Sequence, residues 1–134
     1  MDSYRILVVD DEEFMRKLCG RVLAGLGVEP LFAESVAVAL EKAASLDGLD
    51  LLITDLRLPD GHGLEVARGV RKKFPAAGIL VISAFLNLEE NKESFLALGV
   101  TEDDMFSKPF SVTVLETAVK ARLPGGEKGK AGAL

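Results

Sequence analysis

The sequence predicts an α/β fold, a parallel sheet between two layers of helices. Three observations predict it. Short continuous apolar runs recur along the chain, as expected for strands buried on both faces. Amphipathic helical stretches separate each run from the next. The alternation goes β-α five times through 134 residues, which suits one domain. Together these give a three-layer, doubly wound (βα)5 domain with right-handed crossovers.

The first strand is RILVV (5–9). The second, EPLFA (29–33), is weaker, and Pro30 assigns it to an edge. LDLLIT (49–54) and GILVIS (78–83) are strong, and DMFS (104–107) is the short fifth. Phe14, Leu18, Val22 and Leu26 are spaced by four and form the expected apolar stripe of the first helix. Ser35 is the expected N-cap of the second helix, which carries Val36, Ala39, Leu40 and Ala43. Leu64, Ala67 and Val70 share a face of the third. Leu88, Phe95 and Leu98 mark a fourth over 87–98, stopped by Gly99. Ser111 caps a fifth with Val114, Leu115, Ala118 and Val119 inward, and Pro124-Gly125-Gly126 ends it. GGEKGKAGAL (125–134) has the composition of a flexible tail or the start of a linker.

Composition narrows the function. Apolar residues make up 49% and charged residues 28%, a globular balance. The net charge of −5 argues against direct nucleic acid contact by this segment. One cysteine, Cys19, excludes an internal disulfide framework and fits a reducing cytoplasm. No apolar run approaches the ~18–20 residues needed to cross a membrane.

In a parallel α/β sheet the working site lies at the carboxyl ends of the strands. Here the first strand ends in Asp10-Asp11, followed by Glu12-Glu13. The third ends in Asp55, the fourth in Ser83, and the fifth in Lys108-Pro109. Two carboxylates ~4 Å apart repel by about 4 kcal/mol at an effective dielectric near 20. Three would cost on the order of 10 kcal/mol, as much as a domain's whole stability. Such a cluster needs a proton or a cation, and Lys108 offsets one charge only. Oxygen donors without thiolates or clustered imidazoles favour Mg²⁺ over Zn²⁺. With a cation and Lys108 to stabilise a phosphoryl group, an aspartate can serve as its acceptor and Ser83 as a hydrogen-bond donor.

The segments ILVVDDEE (6–13), LLITDLRLPDGHGLEV (51–66), ILVISAF (79–85) and FSKPF (106–110) together resemble the receiver domain of bacterial two-component response regulators. The set is specific: an acid pair, an Asp with Pro four residues on and Gly eight on, a Ser, and a Lys-Pro, in that order. DLRLPDGHGLEV is similar to receivers attached to enhancer-binding transcription regulators. The resemblance covers about residues 4–123. It implies a receiver domain over 1–123, with 124–134 as tail or linker. It also implies a chemotaxis-regulator-like fold with flavodoxin-like strand order 2-1-3-4-5. Asp55 is then the phosphoacceptor. Asp11, Asp55 and the backbone carbonyl of Arg57 are the direct ligands of Mg²⁺ (or Mn²⁺), with Asp10 acting largely through water. Ser83 is the switch hydroxyl, and Lys108, ahead of a cis bond to Pro109, contacts the phosphoryl group. The implied partners are a sensor histidine kinase or phosphotransfer protein, and a second copy bound through the fourth helix, fifth strand and fifth helix. The chain would be a signalling phosphoacceptor that catalyses only its own phosphorylation and dephosphorylation, not an enzyme acting on free substrates.

Two departures fall on the output region. The family's switch aromatic, three residues before the lysine, is Met105 here, and the aromatic is Phe106. A one-residue slip of the fifth strand would put Phe106 in that role, at the cost of reversing its neighbours' faces. Ser83 and Lys108 are 25 positions apart, a few more than the family spacing, with the surplus expected around 99–103. A phosphohydrolase of similar architecture would need an acid two residues after Asp55, where Arg57 stands. A pseudo-receiver that binds partners without phosphorylation is the remaining reading, and Met105 is its support. His62 is expected as an exposed loop residue, and Arg71-Lys72-Lys73 as a solvated face. Gly61-x-Gly63 lacks the third glycine of a dinucleotide loop.

Overall fold

The computed structural model describes residues 4–123, the side chains of residues 85 and 86 excepted, so the expected tail at 124–134 lies outside the described residues. In chain order the elements are β1 (Ile6–Val9), α1 (Glu13–Gly25), β2 (Leu31–Ala33), α2 (Val36–Ser45), β3 (Leu51–Thr54), β4 (Arg57–Leu58), β5 (Gly61–His62), α3 (Gly63–Lys73), β6 (Gly78–Ser83), α4 (Phe85–Leu96), a 3-10 turn (Glu102–Asp104), β7 (Met105–Ser107) and α5 (Val112–Arg122). Five parallel strands form the sheet in the order β2-β1-β3-β6-β7. Leaving out the small β4–β5 hairpin, this is the expected order 2-1-3-4-5 of a flavodoxin-like fold.

Neighbouring residues on each strand go to opposite faces. Leu7, Val9, Leu52, Ile79 and Val81 pack with residues of α2, α3 and α4. Ile6, Val8, Leu51, Ile53, Leu80 and Ile82 pack with residues of α1 and α5. Burying each such side chain fully contributes about 1.5–3 kcal/mol, which is why the strands read as continuous apolar runs.

Several expectations hold in detail. Ser35 accepts a hydrogen bond from Val38 N at 3.2 Å and Ser111 one from Val114 N at 3.1 Å, so both cap their helices. Gly99 ends the turn after α4 with φ +80°, a conformation that suits glycine. A 3-10 turn, Glu102–Asp104, precedes the fifth strand. It is tied back by Thr101, whose N–H and hydroxyl donate to Asp104 at 2.9 and 3.2 Å.

Other expectations need correction. Phe14 is 74% exposed, and the buried stripe of α1 is Met15, Cys19, Val22 and Leu23. Leu40 and Val114 are also exposed. The fourth helix starts two residues earlier than the spacing predicts. The β4–β5 hairpin has no counterpart in the sequence reading.

Candidate functional site

Strand register assembles the site. Val9 pairs with Thr54, so Asp10 and Asp55 step off β1 and β3 side by side. The Asp10 N–H donates to Ala33 O at 3.0 Å and the Asp55 N–H to Val9 O at 2.9 Å, which extends the ladder by one residue. Thr54 pairs with Val81, and Ser83 lies two residues further along β6. Ser83 pairs with Ser107, and the next residue, Lys108, donates its N–H to Ser83 O at 2.9 Å. The Lys108–Pro109 peptide is cis.

The expected residues meet. Asp55 Oδ1 accepts the Ser83 hydroxyl at 2.5 Å, Leu56 N–H at 2.5 Å and Arg57 N–H at 3.3 Å. Asp55 Oδ2 accepts the Lys108 ammonium at 2.7 Å. Lys108 also donates to Asp10 Oδ2 at 3.1 Å and to Glu12 Oε1 at 2.6 Å. Asp10, Asp55 and Ser83 are buried, and Asp11 is exposed at the rim. Burial raises the Asp10 carboxyl above its usual range, although the Glu12 N–H and Lys108 partly offset it. Burial alone would lower the Lys108 ammonium, but the hydrogen bonds to Asp55 and Glu12 outweigh it, and the group is held well above its ordinary value. It is therefore a permanent cation at neutral pH.

One oxygen each of Asp10, Asp11 and Asp55 lies within 4.8 Å of the others. The donors are all carboxylate oxygens, and their charge exceeds what Lys108 supplies. That chemistry fits a hard divalent cation such as Mg²⁺.

Two further residues shape the site. A Cβ on Gly63 would sit 2.0 Å from the carbonyl oxygen of Asp55, so the glycine eight residues after Asp55 is what lets α3 start against that loop. Glu12 is not singled out by the sequence, because an acid following an acid pair carries no signal of its own. Its contact with Lys108 emerges only once β1 and β7 are placed in one sheet.

The remaining candidates have structural roles. His62 Nδ1 accepts Leu64 N–H at 3.0 Å, and Glu65 accepts the His62 N–H at 3.1 Å, so this half-buried histidine caps α3 rather than being a free loop residue. Arg71 donates to the carbonyls of Leu98, Pro75 and Ala77, and Lys73 to those of Ala43 and Ala44. Of the basic trio, these two fasten helix ends rather than forming a solvated face. Burial, then the negative charge of Asp10, pushes the Cys19 thiol up to about 12, which leaves it unreactive. Met105 faces the α4 side of the sheet and Phe106 the α5 side, where the Arg122 guanidinium lies 5.7 Å from its ring centre. The strand is therefore in the register that keeps Met105 on the α4 side.

Comparison with known proteins converges on one family. The response regulator receiver domain matches residues 6–120. The KDP operon transcriptional regulatory protein KdpE of Escherichia coli is 35% identical over 118 residues, covering 88% of this chain and 50% of that regulator. The chain thus spans about half the length of that relative. A CheY-like receiver domain protein from Methanospirillum hungatei superimposes with a TM-score of 0.83 at 26% identity, covering 96% of this chain and 99% of that one. The chemotaxis response regulator CheY4 of Vibrio cholerae gives 0.79 at 26% identity, covering 91% and 100%.

Proposed function

Given that the chain belongs to the response regulator receiver domain family, we propose that it is a phosphoacceptor whose Asp55 takes a phosphoryl group from a histidine kinase or phosphotransfer protein. The observation that carries this reading is the division of labour on Asp55. Ser83 and two backbone N–H groups hold Oδ1, while Oδ2 meets the Lys108 ammonium at 2.7 Å. Oδ2 is the oxygen better placed to form the new bond to phosphorus as the bond from phosphorus to the donor's nitrogen breaks. Lys108 follows the charge onto the phosphoryl oxygens, and the Ser83 hydroxyl turns from Oδ1 to one of them. Asp10, Asp11, Asp55 and the carbonyl of Arg57 would hold Mg²⁺ (or Mn²⁺), which supplies positive charge to the same oxygens.

The added group carries roughly −1.5 to −2 charges by analogy with phosphoserine. Re-aiming the Ser83 hydroxyl disturbs the start of α4, whose Asn87 amide donates to it at 3.4 Å, and Met105 lies against that helix beside a cavity of about 200 Å³ also lined by Leu88, Lys92 and Glu102. A bistable arrangement of α4, β7 and α5 is the output surface, and a homodimer through it is one route of signalling. The module works in the cytoplasm and turns over no free substrate. The −5 charge argues against direct nucleic acid contact by this segment.

Acetyl phosphate with Mg²⁺ should add one phosphoryl group, seen by intact mass, and chelation should abolish it. Asp55→Asn should not label. Equal labelling of Asp55→Asn would overturn the assignment.

A further inference from the structure

We propose that Glu12 is a displaceable holder of Lys108: it engages the ammonium before phosphorylation and must yield it to the phosphoryl oxygens. The inference rests on the phosphoacceptor reading and adds to it a residue that tunes phosphoryl affinity.

The three N–H donors of an ammonium are all taken here, by Asp10 at 3.1 Å, Glu12 at 2.6 Å and Asp55 at 2.7 Å. Asp10 and Asp55 are buried and fixed, whereas the Glu12 side chain is 57% exposed. Glu12 can therefore swing into water at little cost, which the other two cannot. A second observation points the same way. Glu12 occupies the N-cap position of α1 but makes no side-chain capping bond. That position favours Ser, Thr, Asp or Asn. The carboxylate has left the helix end and reaches across the site instead.

An arriving phosphoryl group brings negative charge next to Glu12 and needs a donor from Lys108. Repulsion and competition act together, so Glu12 is the contact that gives way. Keeping Glu12 then weakens binding of the phosphoryl group relative to a site without it.

The test is a titration of the full chain with beryllofluoride at saturating Mg²⁺, followed by amide NMR. Glu12→Gln should bind about two- to fivefold more tightly, the size of an exposed ion pair. Glu12→Asp keeps the charge on a shorter arm, losing the contact but not the repulsion, and should bind with an affinity between those of the parent and Glu12→Gln. In a Lys108→Gln background the gain should shrink to the part that repulsion alone supplies. Parent-like affinity of Glu12→Gln, or of Glu12→Asp alone, would overturn the proposal. If the parent itself fails to bind beryllofluoride with Mg²⁺, the phosphoacceptor reading falls first and takes this inference with it.

Discussion

Position 63 shows how much a single hydrogen can decide. An added Cβ would lie 2.0 Å from the Asp55 carbonyl oxygen, 3.0 Å from its carbon and 3.1 Å from Leu56 Cα. All three are backbone atoms, so no side chain can step aside. Gly63→Ala must either lift the first turn of α3 or displace the backbone that carries Asp55. The expected cost is about 1–3 kcal/mol, as for other overpacked sites, read from urea unfolding. Labelling by acetyl phosphate should slow in the same variant, because Asp55 is the residue displaced. Gly48 is the control: nothing lies within 4 Å of the point where its methyl would sit, and Gly48→Ala should stay within about 0.5 kcal/mol of the parent. An equal loss in the two variants would show that the close approach at Gly63 is not what matters.

Elements are where the sequence is most and least legible. The strands are legible because burial on two faces leaves uninterrupted apolar runs, and the site residues because each stands at or just past the end of a strand. The α1 stripe misleads because residues spaced by four advance 400°, so the row drifts about 40° per step around the helix. Over three steps the two ends face different ways, and Phe14 swings out to solvent. The β4–β5 hairpin is illegible because two-residue strands have no period. Its consequence is a tie between elements: Asp60, on the turn between β4 and β5, accepts Val36 N–H at 2.7 Å and Ala37 N–H at 2.9 Å. With Ser35 on Val38, the opening donors of α2 are satisfied from two places. Those backbone hydrogen bonds lower the Asp60 carboxyl below its usual range. A depressed folded value means stability that is present above the unfolded value and lost as pH falls through the folded one. Asp60→Asn should therefore have a lower urea midpoint than the parent at neutral pH, with the gap closing in acid. A gap that persists unchanged into acid would refute the role.

At the scale of the whole molecule, the two cores stabilise a sheet whose rim carries unbalanced charge. Asp10 shows the tension. Its folded carboxyl is raised mainly by burial, the opposite sign to Asp60. The sign reverses the linkage: this contribution to stability is fully present below the unfolded value and is lost as pH rises through the raised folded value. Without divalent cation, the charged Asp10 is therefore a cost of the fold at neutral pH. A hard cation requires that same deprotonated carboxylate, so its binding should strengthen over the same interval of pH. At about 100 times its dissociation constant, a ligand of the folded state alone adds ~2.7 kcal/mol. The melting midpoint in Mg²⁺ should then exceed that in chelator by roughly 10 °C in a domain of this size, and the difference should widen as pH rises through the Asp10 value. Asp10→Asn keeps an acceptor for Lys108 and removes one of the crowded charges. It should melt higher than the parent in chelator, by on the order of 1 kcal/mol, and should lose most of the Mg²⁺ response. Stability would then be gained at the expense of the site, because the charge that opposes folding is also the one proposed to hold the cation. If Asp10→Asn retained the full Mg²⁺ shift, Asp10 would not belong to the cation site, and the cost of burying it would have no functional counterpart.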